Sequence, residues 1–163
     1  MDPAGPAVSE SRFVLEAQRA PATVLDLAGR EREGVFFLRT GGAPRHVESL
    51  TDLLNDEEKR FLPFETGGAI EFIPFDAIVA VGFRLPAEEV LLLDEVGALR
   101  SALEVEVVSG RTLSGVLAHE APPTAHRLSD VLNFVRTRFL TLLGDDRAWA
   151  VRLGAILRVR PVG

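Results

Sequence analysis

Short apolar runs separated by glycine-rich breaks fill residues 22–83, and the same alternation returns between 103 and 160. Residues 23–27 read as a strand and Gly29-Arg30 as a turn. Residues 34–39, with Val35, Phe36, Phe37 and Leu38, read as the returning strand, because β-branched and aromatic side chains suit a pleated surface. Further strands are expected at 60–65, 69–74 and 76–82, with Thr66-Gly67-Gly68 turning the first of these into the second. Later in the chain, residues 103–108 alternate apolar and polar at period two, the mark of a half-buried strand. Gly110-Arg111 turns it into 113–119, and strands follow at 138–143, 148–152 and 155–160, where Pro161 ends the pattern.

Two hexads organise this layout. Leu50-Thr51-Asp52-Leu53-Leu54-Asn55 returns as Leu128-Ser129-Asp130-Val131-Leu132-Asn133, 78 residues later. The same offset relates Arg60, Phe61 and Leu62 to Arg138, Phe139 and Leu140, and Ala77, Ile78 and Val81 to Ala155, Ile156 and Val159. Ahead of the hexads the offset is 81, relating Arg19, Val24, Gly29, Arg30 and Gly34 to Arg100, Val105, Gly110, Arg111 and Gly115. One three-residue length change in the loop before the hexad reconciles the two offsets, and loops tolerate such changes. The expected fold class is therefore mainly β: two homologous tandem five-stranded small barrels, each with a short helix between strands two and three. Residues 1–18 are expected to form a disordered or loosely ordered N-terminal segment, 19–83 the first copy, 84–99 a linker and 100–163 the second copy. Pro86-Ala87-Glu88-Glu89 suits the first turn of a helix in the linker, although Val90-Leu91-Leu92-Leu93 suits a strand equally well. A copy of about 65 residues is marginal alone, so the two are expected to pack on one another about an approximate internal two-fold.

The spacing within each hexad puts its apolar side chains on one face of a short helix. Thr51 or Ser129 is expected to cap that helix, with Asp52 or Asp130 at the positive end of its dipole. Asn55 or Asn133 would end it in a left-handed turn. Leu50, Asp52, Asn55, Leu128, Asp130 and Asn133 thus form a structural motif; the competing reading has Asp and Asn lining a binding groove.

Composition removes several chemistries. Without cysteine there is no disulfide, zinc–thiolate site or cysteine nucleophile. Gly29 and Gly34 lack the Lys-Ser/Thr of a phosphate loop, and Ser114 and Ser129 stand outside any nucleophile elbow. His46, His119 and His126 are separated by prolines and lack ligand spacing. Neither enzyme, metal nor cofactor is expected. Apolar runs stop at five residues and no basic, apolar leader opens the chain, so a cytoplasmic protein without a membrane span is expected. Seventeen of the 18 basic residues are Arg, which fits a biased bacterial genome composition. Charge is unevenly placed: 9 basic against 18 acidic side chains in residues 1–99, and 9 against 6 in residues 100–163. The two parts could attract one another, within a chain or between chains. Adjacent strand aromatics cannot both face one core, so either Phe36 or Phe37 must be covered by the other copy, a second chain or a partner.

Val105-x-Val107-x-x-Gly110-Arg111-x-x-x-Gly115 resembles the first hairpin of the Sm-like small-barrel superfamily, and Arg152-x-Gly154-x-Ile156-x-x-Val159 resembles its closing strands. SH3-like barrels share much of this pattern. The resemblance implies five-stranded barrels, ring-like oligomers, and RNA held at Asp130, Asn133, Arg152 and Gly154. The first copy departs from it, with Pro74 and Asp76 where Arg and Gly belong, and the net charge of −6 opposes general RNA binding. The functional expectation is a non-catalytic protein-binding scaffold or regulatory adaptor with an unidentified protein partner, a homo-oligomer being one form of that contact. The alternative is binding of RNA or another anion by the basic second copy, through Arg111, Arg136, Arg138, Arg152, Arg158 and Arg160.

Overall fold

A computed structural model describes residues 17–39, 49–85, 99–119 and 128–162. The expected linker helix and the tail before residue 17 lie outside these residues, as do His46 and His126. Strands β1 (Ala17–Asp26), β2 (Glu31–Arg39), β3 (Phe61–Thr66), β4 (Ala69–Pro74) and β5 (Ile78–Phe83) make the first copy, with helix α1 (Leu50–Leu54) between β2 and β3. Strands β6 (Leu99–Val107), β7 (Thr112–His119), β8 (Phe139–Leu143), β9 (Ala148–Arg152) and β10 (Ile156–Pro161) make the second, with α2 (Leu128–Phe134) in the same place. A single 3-10 turn precedes each closing strand, at Phe75–Ala77 and at Leu153–Ala155. The sequence offsets hold in the hydrogen bonding. β1 pairs with β5 as β6 pairs with β10, Val24 opposite Val81 and Val105 opposite Val159, and both ladders shift register at the corresponding place.

The protein is mainly β, but the two closed barrels expected from the sequence are replaced by one open sheet. All ten strands of the described residues lie in it, in the order β10-β6-β7-β8-β9-β5-β1-β2-β3-β4. The reason is a single junction: β5 of the first copy pairs antiparallel with β9 of the second, Val81 opposite Ala150 and Phe83 opposite Ala148. β5 is consequently central, and every one of its residues is buried. The prolines respect this layout. Pro21 and Pro63 sit where their strands bridge to a neighbour on one side only, at Val35 and Phe72, so the missing amide breaks no second ladder.

Two apolar clusters form, and each crosses the copy boundary. The first contains Val24, Phe36, the α1 leucines, Leu62, Phe64 and Phe75, and it is completed by Phe139, Ala148 and Ala150 of the second copy. The second contains Leu103, Val105, Val107, Leu140, Leu142 and Val131 of α2, and it is completed by Leu25, Val79 and Ala80 of the first copy. The copies thus bury one another's surface, which offsets the small size of each.

The helices keep their expected leucine face but not their expected caps. α1 begins two residues earlier than its Thr51 cap would require. Ser49 is the N-cap: its hydroxyl accepts the Asp52 amide and the Asp52 carboxylate accepts the Ser49 amide, a capping box. Thr51 and Ser129 are therefore inside their helices. Nor does Asn55 adopt a left-handed conformation; its φ is −97°, and among the described residues positive φ is confined to glycines.

Candidate functional site

The hexad asparagine is a bridge. The Asn55 side-chain oxygen accepts the Phe139 amide at 2.9 Å, tying the end of α1 to the start of β8 across the copies. Its counterpart Asn133 is exposed and donates its amide to the Ser129 carbonyl within α2, which runs on to Phe134. Replacing Asn55 with Ala leaves the half-buried Phe139 amide without its acceptor, and is expected to cost about 1–3 kcal/mol in urea denaturation. Asn133→Ala is expected to cost within about 0.5 kcal/mol. Equal costs at both positions would contradict the bridging role.

Three arginines of the second copy join Asn55 at this boundary. Arg152 donates to the Ile78 and Asp76 carbonyls at 2.7 and 3.1 Å. Arg138 donates to the Lys59 carbonyl and lies 4.0 Å over the Phe75 ring. Arg111 pairs with Glu31 at 2.5 Å and lies 5.5 Å from the Trp149 ring. Trp149 carries Arg147 on it as well, and its ring rests on Gly82, where an added Cβ would come within 3.1 Å. Across the copies Arg111 thus forms an ion pair with Glu31, while Arg138 and Arg152 dock on backbone carbonyls.

The remaining candidates of the anion-binding alternative do not converge with these. Arg136 caps α2 through the Asn133 carbonyl, and Arg158 and Arg160 pair with Glu106 and Glu104 along β10 and β6. All six arginines therefore have protein partners, three at the boundary, two on the outermost strand and one at a helix end. Gly154 lies against Arg152, while Asp130 and Asn133 are on α2, so the positions implied for RNA are divided between the boundary and a helix.

Phe36 and Phe37 separate as the pleat requires. Phe36 is fully buried, its ring centroid 4.8 Å from that of Phe64. Phe37 is half-buried under the Arg19 guanidinium, 5.6 Å from its ring, and Arg19 in turn pairs with Glu65 at 2.6 Å. The first covering of Phe37 is therefore an arginine of its own copy.

A shallow cleft of about 420 Å³ lies between Arg84, Leu85 and the 144–148 turn. It offers arginines and the turn carboxylates Asp145 and Asp146, with no nucleophile beside a base. Among the described residues no group of three or more His, Asp or Glu side chains could hold a metal ion.

The feature that most distinguishes the surface is its two free sheet edges. Among the described residues, β4 and β10 have a strand on one side only. Ile70 and Phe72 stand exposed on β4, Phe61 beside them on β3, and Leu157 on β10. Reading single strands missed these edges, although the contrast between copies signalled them. Ile78-Val79-Ala80-Val81 is apolar throughout, as a strand covered on both faces must be, whereas its counterpart Ile156-Leu157-Arg158-Val159 is interrupted by charge. Fold and site together define a class: a duplicated antiparallel β protein with an open sheet. In comparisons with family models, with curated proteins and with solved structures, nothing matches the chain. Among the described residues no helix is long and apolar enough to cross a membrane.

Proposed function

We propose that the chain is a non-catalytic protein-binding scaffold or adaptor, built from a duplicated β module and acting through its sheet edges. One observation carries this reading: the open sheet ends in β4 and β10, and exposed Phe61, Ile70, Phe72 and Leu157 stand on or beside those strands. An unpaired strand edge offers a row of backbone donors and acceptors, and apolar side chains along it add contact area; both suit an added strand from a protein. Anion binding by the second copy is the weaker reading, because its six candidate arginines already have partners within the protein.

Titration of the whole chain with single-stranded RNA at low and at physiological salt separates the two readings. No binding is expected even at low salt. Tight binding that falls steeply with salt would overturn the scaffold reading, since phosphate neutralisation gives that dependence. The scaffold reading further requires that protein binding by the chain be lost on Phe72→Asp while the denaturation midpoint stays unchanged.

A further inference from the structure

We propose that the occupant of these edges is a second copy of this chain. The β4 edge of one molecule adds to the β10 edge of the next, repeating between chains the β5–β9 junction found within each. This rests on the scaffold reading and names its partner. The duplication makes β4 the counterpart of β9, and β10 the counterpart of β5. Both strands of the internal junction therefore occur again at the two ends of the sheet, each with one side open among the described residues. Burial follows the same logic. Phe61, Ile70 and Phe72 are 56, 55 and 69 % exposed, while their counterparts Phe139, Ala148 and Ala150 are 2, 2 and 0 % exposed, closing the first core. Leu157 is 56 % exposed, while its counterpart Val79 is 0 % exposed. By contrast, Leu27 and Val108 are counterparts exposed alike, so exposure at those turns reflects no missing partner.

The second core is open where the first is closed: Leu153, Ile156 and Val159 flank it only partly buried. Shape fits the exchange. The closing side is larger on the free edge, with Ile70 and Phe72 in place of Ala148 and Ala150. The receiving side is smaller to match, with Leu153 and Pro161 in place of Phe75 and Phe83. Carrying over the internal register sets Val159 opposite Phe72 and Arg160 opposite Glu71, which joins the Arg160–Glu104 and Arg32–Glu71 ion pairs into one alternating-charge row. Pairing β10 with itself would instead bring Arg158 and Arg160 of both chains together. The two edges differ, so the contact is head-to-tail and each chain has one of each end. One clamp is missing: Pro74 replaces Arg152, so the contact between chains is weaker than the contact within one and should dissociate on dilution.

Sedimentation of the whole chain across a concentration series tests this. The expected mass exceeds the 17.7 kDa of one chain and falls toward it on dilution. Phe72→Asp blocks one edge and Leu157→Asp the other; each variant alone is expected to remain a monomer. Mixed, they retain one compatible pair of edges and are expected to form a 1:1 dimer that grows no further. Denaturation midpoints verify folding, and Ile70→Asp replaces Phe72→Asp if the latter fails to fold. A monomer at every concentration, or assembly by either variant alone, would overturn the proposal; the second outcome would mean like edges pair. If the chain is monomeric but binds a foreign protein in a Phe72-dependent way, self-association falls and the scaffold reading stands. Salt-sensitive RNA binding would remove the scaffold reading itself.

Discussion

Ala150→Asp is expected to destabilise the chain by on the order of 4 kcal/mol and to loosen both copies at once. Ala150 belongs by sequence to the second copy, yet it is fully buried in the first core, opposite Val81 in the β5–β9 ladder. A carboxylate placed there meets apolar neighbours, and an unpaired buried charge costs several kcal/mol even after relaxation. Because Phe139, Ala148 and Ala150 close one core and Leu25, Val79 and Ala80 close the other, the two copies should unfold in one transition. The check is urea denaturation followed in parallel by far-ultraviolet circular dichroism and by the fluorescence of Trp149, which lies on the junction. Coincident curves, both shifted by the substitution, are expected. A fluorescence change that leaves the dichroism curve in place would mean the junction is dispensable. The paired control is Phe72→Asp, the same strand position on the free edge, where an exposed carboxylate should cost within about 0.5 kcal/mol.

Phe64→Ala is expected to cost about 3–5 kcal/mol. Its ring is fully buried, packs at 4.8 Å on Phe36, and covers Gly34 on the neighbouring strand. Truncation opens a cavity that β2 and β3, held together by their ladder, cannot close. The contact also explains Gly34, which the sequence placed just inside a strand. A Cβ there would come within 2.5 Å of the Phe64 ring and closer still to the Glu65 carbonyl oxygen. Gly115, its counterpart, meets Leu142 in the same way. These glycines are sites of close strand approach; the hairpin turn itself belongs to Gly29, whose φ is +80°. A cost for Phe64→Ala below about 1 kcal/mol would mean the site collapses freely and the pair is not central to the first core.

Much of the secondary structure was legible along the chain. Alternation at period two, the glycine turns and the leucine spacing of the hexads placed all ten strands and both short helices, because these signals are local. Boundaries moved where a local rule had two equal claimants. Ser49 took the cap expected of Thr51 because Asp52, three residues after Ser49, completes the reciprocal pair of hydrogen bonds. Asn55 ends its helix, though not in a left-handed turn, and only the arrival of Phe139 from 84 residues away gave its side chain an amide to accept. The candidate arginines were legible as cations but not as bonded ones, since Ile78, Asp76 and Lys59 approach Arg152 and Arg138 only in the folded chain.

Taken alone, the sequence determined that the chain is a duplicated β protein, and where its repeats begin and correspond, because repetition and periodicity are properties of order along the chain. Tertiary structure decided which strand stands beside which. Two copies of one pattern could close on themselves or pair with each other, and the local hydrogen-bonding potential of β4, β5, β9 and β10 is the same in both arrangements. Burial selected the second: small alanines on β9 and an apolar β5 fit together and fill both cores, which leaves β4 and β10 as the open ends of the sheet.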